Sequence, residues 1–65
     1  MESLQKIKDL IEKMSVETTK VTEKGNHSAS IRARKYAQEI KSLIPVYRKD
    51  ILETLKKTHT EDARN

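Results

Sequence analysis

Apolar side chains recur every three or four residues through most of this chain, a spacing that places them on one face of an α-helix. In the first part of the chain the pattern continues to the only glycine, Gly25. It consists of Leu4, Ile7, Ile11, Met14, Thr18 and Val21, and it weakens at Thr18, which is polar and β-branched. Alternating steps of three and four form a heptad repeat. We therefore predict an amphipathic helix over about residues 2–24, with a seam suited to packing against another helix.

The pattern is interrupted at Gly25 and Asn26, where we predict a turn over residues 25–27. Glycine suits the position just after a helix, where the backbone is left-handed. The side-chain oxygen of Asn26 can cap a following helix, and Ser28 is an alternative cap. Because so short a connection folds two helices back on each other, we expect an all-α antiparallel helical hairpin.

A second heptad seam predicts a helix over about residues 28–57. It consists of Ala33, Ala37, Ile40, Ile44, Tyr47 and Ile51, with Tyr36, Leu43 and Leu55 beside it. Pro45 conflicts with an uninterrupted helix, because it has no N–H to donate to the carbonyl of Lys41. The helix either kinks near this point or breaks, with Pro45 in the first turn of a third helix. The unbroken heptad phase favours the kinked continuous helix.

The size of the chain limits what these helices can bury. A chain of 65 residues forms one small domain, which we place at residues 1–57, before a polar tail at 58–65 that we expect to fray. With no Cys, Phe or Trp, the core is aliphatic, thin and without disulfides. Oligomerisation is the remaining way to stabilise such a domain, so we expect a homodimer or higher oligomer forming a helical bundle. The alternative is a marginally stable monomeric hairpin.

Positive charge is concentrated in residues 24–49, which contain seven basic residues and one acidic residue, Glu39. A local excess of this kind indicates a polyanionic partner. The candidate phosphate-binding residues are Lys24, Arg32, Arg34, Lys35, Lys41, Arg48 and Lys49. Taken alone, Lys41 and Lys49 fit the solvated flank of a heptad seam, where acids such as Glu12, Glu17 and Glu23 could pair with basic residues. Arg32, Arg34 and Lys35 together favour anion binding, because Arg and Lys side chains on one helix can each reach a phosphate.

Several classes of function are not supported. The chain has no nucleophile paired with a base, no paired carboxylates and no glycine-rich phosphate loop, and its two histidines, His27 and His59, lack ligand-like spacing. We therefore predict no enzyme activity, no metal site, no cofactor and no small-molecule substrate. The first residues contain no apolar run, so we expect a cytoplasmic protein without a signal peptide or a membrane span. We also expect no binding to a membrane surface, because the apolar side of the helices is needed for the core.

One segment also resembles a known family. The stretch from Gly25 to Lys35, with Asn26, the small residues at 28–30 and Arg32-Ala33-Arg34, is similar to the bacterial linker-histone-like family typified by chlamydial histone-like nucleoid proteins. The likeness continues through Gln38-Glu39-Ile40-Lys41, Leu43 and Tyr47-Arg48-Lys49. It implies a small helical nucleoid protein that binds DNA with little sequence preference. It also implies that Gly25 and Asn26 form the turn and that the basic residues from Arg32 to Lys49 bind DNA.

The segment departs from the family pattern at His27, Ser30 and Pro45, where the family has Lys, Gly and a polar residue. The chain also lacks the long Lys- and Ala-rich tail of chlamydial members, so we expect a short form that binds DNA modestly or bridges it as a dimer with two basic faces. A helical protein–protein or coiled-coil module is the alternative function, and a small basic protein that binds RNA or the ribosome is another.

Overall fold

The computed structural model describes residues 1–58 as two antiparallel α-helices. Helix α1 spans Glu2–Lys24 and helix α2 spans His27–Thr58. Together they form a rod of 54 × 18 × 16 Å. The predicted all-α helical hairpin is confirmed. The predicted frayed tail lies outside the described residues except for Thr58, which is helical.

The turn follows from the local chemistry of two residues. Gly25 has a left-handed backbone with φ of 61°, and its N–H donates to the carbonyl oxygen of Val21 at 2.9 Å. The side chain of Asn26 accepts a hydrogen bond from the N–H of Ala29 at 3.0 Å. Asn26, rather than Ser28, is therefore the cap of α2. His27 is already helical, so the connection is one residue shorter than predicted.

Pro45 lies inside α2 without ending it. The helix continues for more than three turns beyond this residue, so the alternative of a break and a third helix is wrong. Pro45 is exposed to solvent. The carbonyl of Lys41, which lies one turn earlier on the same side, is thus on the outer surface of the hairpin, where water can replace the missing N–H.

The two helices contact each other along one stripe of each. Ile7, Leu10 and Ala29 are buried, and Ala29 is fully inaccessible because the helices approach closely next to the turn. Half-buried residues continue this interface: Met14 and Val21 on α1, and Ala33, Tyr36, Ile40, Leu43 and Tyr47 on α2. No large side chain among the described residues is fully buried. The hairpin therefore has a thin core, as its composition predicts.

Polar contacts hold this interface at two levels. Near the open end, the hydroxyl of Ser3 donates to Oδ2 of Asp50 at 2.6 Å. Nearer the turn, Nε of Arg32 donates to Oε1 of Glu17 at 3.0 Å. Ser3 and Glu17 are both buried, at 4% and 9% exposure. These contacts set which residues of the two helices lie at the same height along the hairpin.

The predicted heptad seams are divided between the interface and the surface. Ile7, Met14, Val21, Ala33, Ile40 and Tyr47 lie between the helices. The other seam residues are exposed: Leu4, Ile11, Thr18, Ala37, Ile44 and Ile51. Ser3, Leu10 and Glu17 take the inner positions on α1, one residue before the exposed members of the seam. Tyr36 and Leu43 do the same on α2, although the pattern placed them beside the seam.

Candidate nucleic-acid interface

The outer surface of α2 carries two rows of basic side chains. The first row is Arg34, Lys41 and Arg48, and the second is Lys35 and Lys49, with Ser42 between them. All of these residues are exposed, because the opposite side of the helix packs on α1 through Tyr36, Ile40 and Leu43. Successive members of a row are seven residues apart, a rise of ~10.5 Å. We call these five cations the basic rows.

The basic rows are not neutralised within the hairpin. The ion pairs in residues 1–58 are Lys6 with Glu2, and Glu17 with both Lys20 and Arg32. None of them involves a member of the basic rows. An exposed cation without an acidic partner keeps its full attraction for an external anion. The five cations of the basic rows are therefore available to an external anion.

Arg32 has a different environment from the other predicted binding residues. Its guanidinium bonds to Glu17 of α1, and its side chain is 44% exposed. The carboxylate of Glu17 is also 3.8 Å from Nζ of Lys20, and the Glu17 side chain is only 11% exposed. Arg32 thus joins the two helices and is separated from Arg34 and Lys35, with which its sequence position grouped it. Its predicted role in binding phosphate remains a prediction.

Lys24 and the turn residues lie at one end of the rod. Lys24 is exposed in the last turn of α1, where a cation interacts favourably with the helix dipole. Gly25 and Asn26 shape the turn as described above. His27 is exposed at the start of α2. A duplex lying along the basic rows would meet Lys24 only at the turn end of the hairpin.

Sequence reasoning missed one contact and underrated another. The bond from Ser3 to Asp50 joins residues 47 positions apart, and neither residue carries a pattern that predicts it. Glu17 was one of three acids that could pair with basic residues of α2, and its burial was not expected. The signal was its place at the inner heptad position, seven residues after the buried Leu10.

Other kinds of site find no support in the part of the chain that the structure describes. Residues 1–58 contain no cluster of three or more His, Asp or Glu side chains that could hold a metal ion. Neither helix, over those residues, has a stretch long and apolar enough to span a bilayer. The surface depressions are shallow, and one of them is lined by charged residues of both helices, including Lys6, Asp9 and Glu39.

A protein-family model described as "Histone H1-like protein Hc1" matches residues 1–57. The chain belongs to this histone H1-like Hc1 family. The family predicted from the resemblance at residues 24–49 is therefore confirmed, and the match extends through α1 and nearly to the end of α2. No curated protein and no solved structure matches this Hc1-family chain significantly.

Proposed function

We propose that this chain is an architectural DNA-binding protein of the bacterial nucleoid that contacts phosphates through the basic rows of α2. Its membership in a histone H1-like family carries the proposal, and supports a structural role rather than a catalytic one. The exposure of the basic rows, without an acidic partner in residues 1–58, supports the choice of this surface. A nucleoid protein of this kind works in the cytoplasm.

Binding through these residues should be insensitive to base sequence. Both rows lie on one continuous helix, on either side of an outer line of residues that includes Gln38 and Pro45. Their side chains can reach the phosphates that border a groove, and contacts to phosphates carry no direct sequence information. Each phosphate neutralised releases counterions, with a slope of roughly −0.9 in log affinity against log salt. Five cations give a slope of about −4.5 if each engages one phosphate.

Titration of a labelled random-sequence duplex across a salt series tests this function. The test variant is Arg34→Ala/Lys35→Ala, which removes one cation from each row. The matched control is Lys8→Ala/Lys13→Ala, which removes the same charge from α1, where neither lysine forms an ion pair within residues 1–58. We expect the test variant to bind more weakly, with a slope shallower by about 1.8. The control should stay close to the wild type in both affinity and salt slope.

Two results would contradict the proposal. If the wild type does not bind duplex DNA even at low salt, the function is wrong. If the test and control variants show the same loss of affinity and the same change in slope, DNA binding depends on the net charge of the protein and not on the basic rows. A hairpin RNA that competes better than the duplex would instead identify RNA as the partner, since the same cations can contact its backbone.

A protein–protein module is the second candidate function, and one observation favours it. Leu4, Ile11, Ile44 and Ile51 are exposed by 36%, 48%, 41% and 41%. A hairpin with so few buried side chains gains stability if a second hairpin covers such residues, so we also propose a dimeric helical bundle. If assembly were the whole function, the wild type would not bind DNA. Neutralising the basic rows would then change only the size of the oligomer.

A further inference from the structure

One long face of the hairpin is uncharged and mainly apolar, and its one polar member, Thr18, donates its hydroxyl to the carbonyl oxygen of Met14 on its own helix. Leu4, Ile11 and Thr18 repeat at seven residues on α1, and Ala37, Ile44 and Ile51 do so on α2. All six are exposed. Each lies one position after a residue that faces the other helix, such as Ser3 on α1 or Tyr36 on α2. These facing residues form the inner stripe of each helix. In two antiparallel helices, residues offset in the same direction from the inner stripe lie on the same side. We call these six residues the apolar face.

The other side of the hairpin confirms this geometry and differs in character. Residues offset in the opposite direction, namely Lys6 and Lys13 on α1 and Glu39 on α2, line one shared depression. Lys20 and Arg32, which meet at Glu17, lie on that side too. Burying this side would remove several charges from water, which is costly. The apolar face is therefore the side that a partner can cover without that cost.

The two halves of the apolar face are in register. The hydrogen bond from Ser3 to Asp50 places Leu4 at about the height of Ile51. Moving seven residues along each helix, in opposite directions, brings Ile11 level with Ile44, and a further seven brings Thr18 level with Ala37. The face thus consists of three layers, with the large side chains toward the open end and the small ones toward the turn.

We infer that a second copy of the chain covers the apolar face, related by a two-fold axis parallel to the helices, and that the resulting four-helix bundle carries its basic rows on two opposite sides. A face about 35 Å long, from the 23 residues of α1, and about 18 Å wide covers roughly 600 Å² per copy. The total of about 1,200 Å² is within the lower range of specific interfaces.

Charge at the rim selects this axis. With the axis parallel to the helices, α2 of one copy lies beside α1 of its partner. The row of Arg34, Lys41 and Arg48 then borders an α1 edge that holds one cation, Lys8, with Ser15 and Thr22. With an axis across the helices, α2 would lie beside α2 and this row would face its own copy. Like charges opposed along a rim disfavour that arrangement.

The axis also decides how DNA is held. When α1 lies beside the partner's α2, the two α2 helices are diagonal in the bundle, and their outer surfaces point in opposite directions. One dimer then presents basic rows to two separate duplexes and bridges them. This step rests on the proposed phosphate binding, whereas the interface itself does not.

Cross-linking tests the interface, because the chain contains no cysteine and introduced thiols are unique. A mixture of Ile11→Cys and Ile44→Cys chains is oxidised, beside each chain alone. In the inferred bundle residue 11 is adjacent to the partner's residue 44, whereas like positions are diagonal. We expect the mixed disulfide to form at least ~10-fold faster than either symmetric one, or than a mixture of Val16→Cys and Val46→Cys chains. Equal rates would overturn the inferred face and axis.

Bridging is measured as co-capture of a fluorescent duplex by an immobilised duplex. The test variant is Ile11→Gln/Ile44→Gln, and the control is Val16→Gln/Val46→Gln, whose valines are exposed by 53% and 46% away from the apolar face. None of these changes alters charge. We expect co-capture by the test variant to fall at least ~10-fold and that by the control to persist. Helicity and binding to a single duplex are recorded for each.

The two proposals fail in different ways. If the mixed disulfide forms but no duplex is bound, the phosphate-binding function is wrong and the interface stands. If the wild type binds single duplexes but is monomeric in sedimentation, or co-captures as well when Ile11 and Ile44 are replaced, the inferred dimer is wrong.

Discussion

Replacing Arg32 by alanine separates a structural role of this residue from a role in binding DNA. Its Nε donates to Oε1 of Glu17 at 3.0 Å across the hairpin. The Glu17 side chain is 11% exposed, so the change leaves a nearly buried carboxylate with only Lys20, at 3.8 Å, as a charged neighbour. We expect this change to destabilise the hairpin, whereas replacing a surface cation that forms no ion pair should have little effect on stability.

The magnitude follows from the unequal burial of the two partners. A hydrogen bond to a charged group contributes about 1.5–3 kcal/mol when it is shielded from water. The Arg32 side chain is 44% exposed, so solvent screens its half of the interaction. We therefore expect Arg32→Ala to lower the free energy of unfolding by about 1–2 kcal/mol. Arg34→Ala, which breaks no ion pair within residues 1–58, should stay within about 0.5 kcal/mol of the wild type.

A double-mutant cycle with Glu17→Ala isolates the pair. Denaturant unfolding is followed by circular dichroism at one protein concentration, because assembly would make stability depend on concentration. The double variant should be less destabilised than the sum of the single ones by about 1 kcal/mol. In duplex binding under conditions where all variants are folded, Arg32→Ala should lose less affinity than Arg34→Ala. A coupling near zero, or a larger loss of affinity for Arg32→Ala, would refute this account of Arg32.

Three further changes test the ends of the hairpin. Gly25→Ala should lower the thermal stability by the equivalent of about 1–2 kcal/mol, because its φ of 61° strains any residue with a Cβ. A Cβ added at residue 25 would have no atom within 4 Å, so the whole cost should come from the backbone conformation. Changed side-chain contacts around the turn, detected by NMR, would contradict this explanation. Asn26→Ala should cost about 1 kcal/mol through loss of the cap on Ala29, and Asn26→Asp should restore most of it. Ser3→Ala should cost about 1 kcal/mol by leaving the half-buried Asp50 without its donor. If Asp50→Ala abolishes the effect of Ser3→Ala in chemical denaturation, the bond is responsible, and additive losses would refute it.

The basic surface was predictable to the extent that it depends on one helix. Once α2 is identified, the seven-residue spacing of Arg34, Lys41 and Arg48 places them in a row without knowledge of α1. Arg32 differs because its partner, Glu17, is on the other helix. A residue's neighbours across an interface depend on how the two helices are rotated, and the spacing along one helix does not contain that information.

The sequence by itself determined the two helices, their antiparallel turn and the concentration of cations on α2. These features depend on local chemistry: the heptad spacing, the left-handed conformation at Gly25 and the side-chain cap at Asn26. Only the tertiary structure decided which stripe of each helix is inside. Ser3 and Leu4 are adjacent in the chain, and they lie at opposite edges of the broad apolar stripe of α1. Docking on α2 buries Ser3, which bonds to Asp50, and leaves Leu4 exposed on the apolar face. A stripe wider than one interface can be rotated in more than one way, and contacts between distant residues select the rotation.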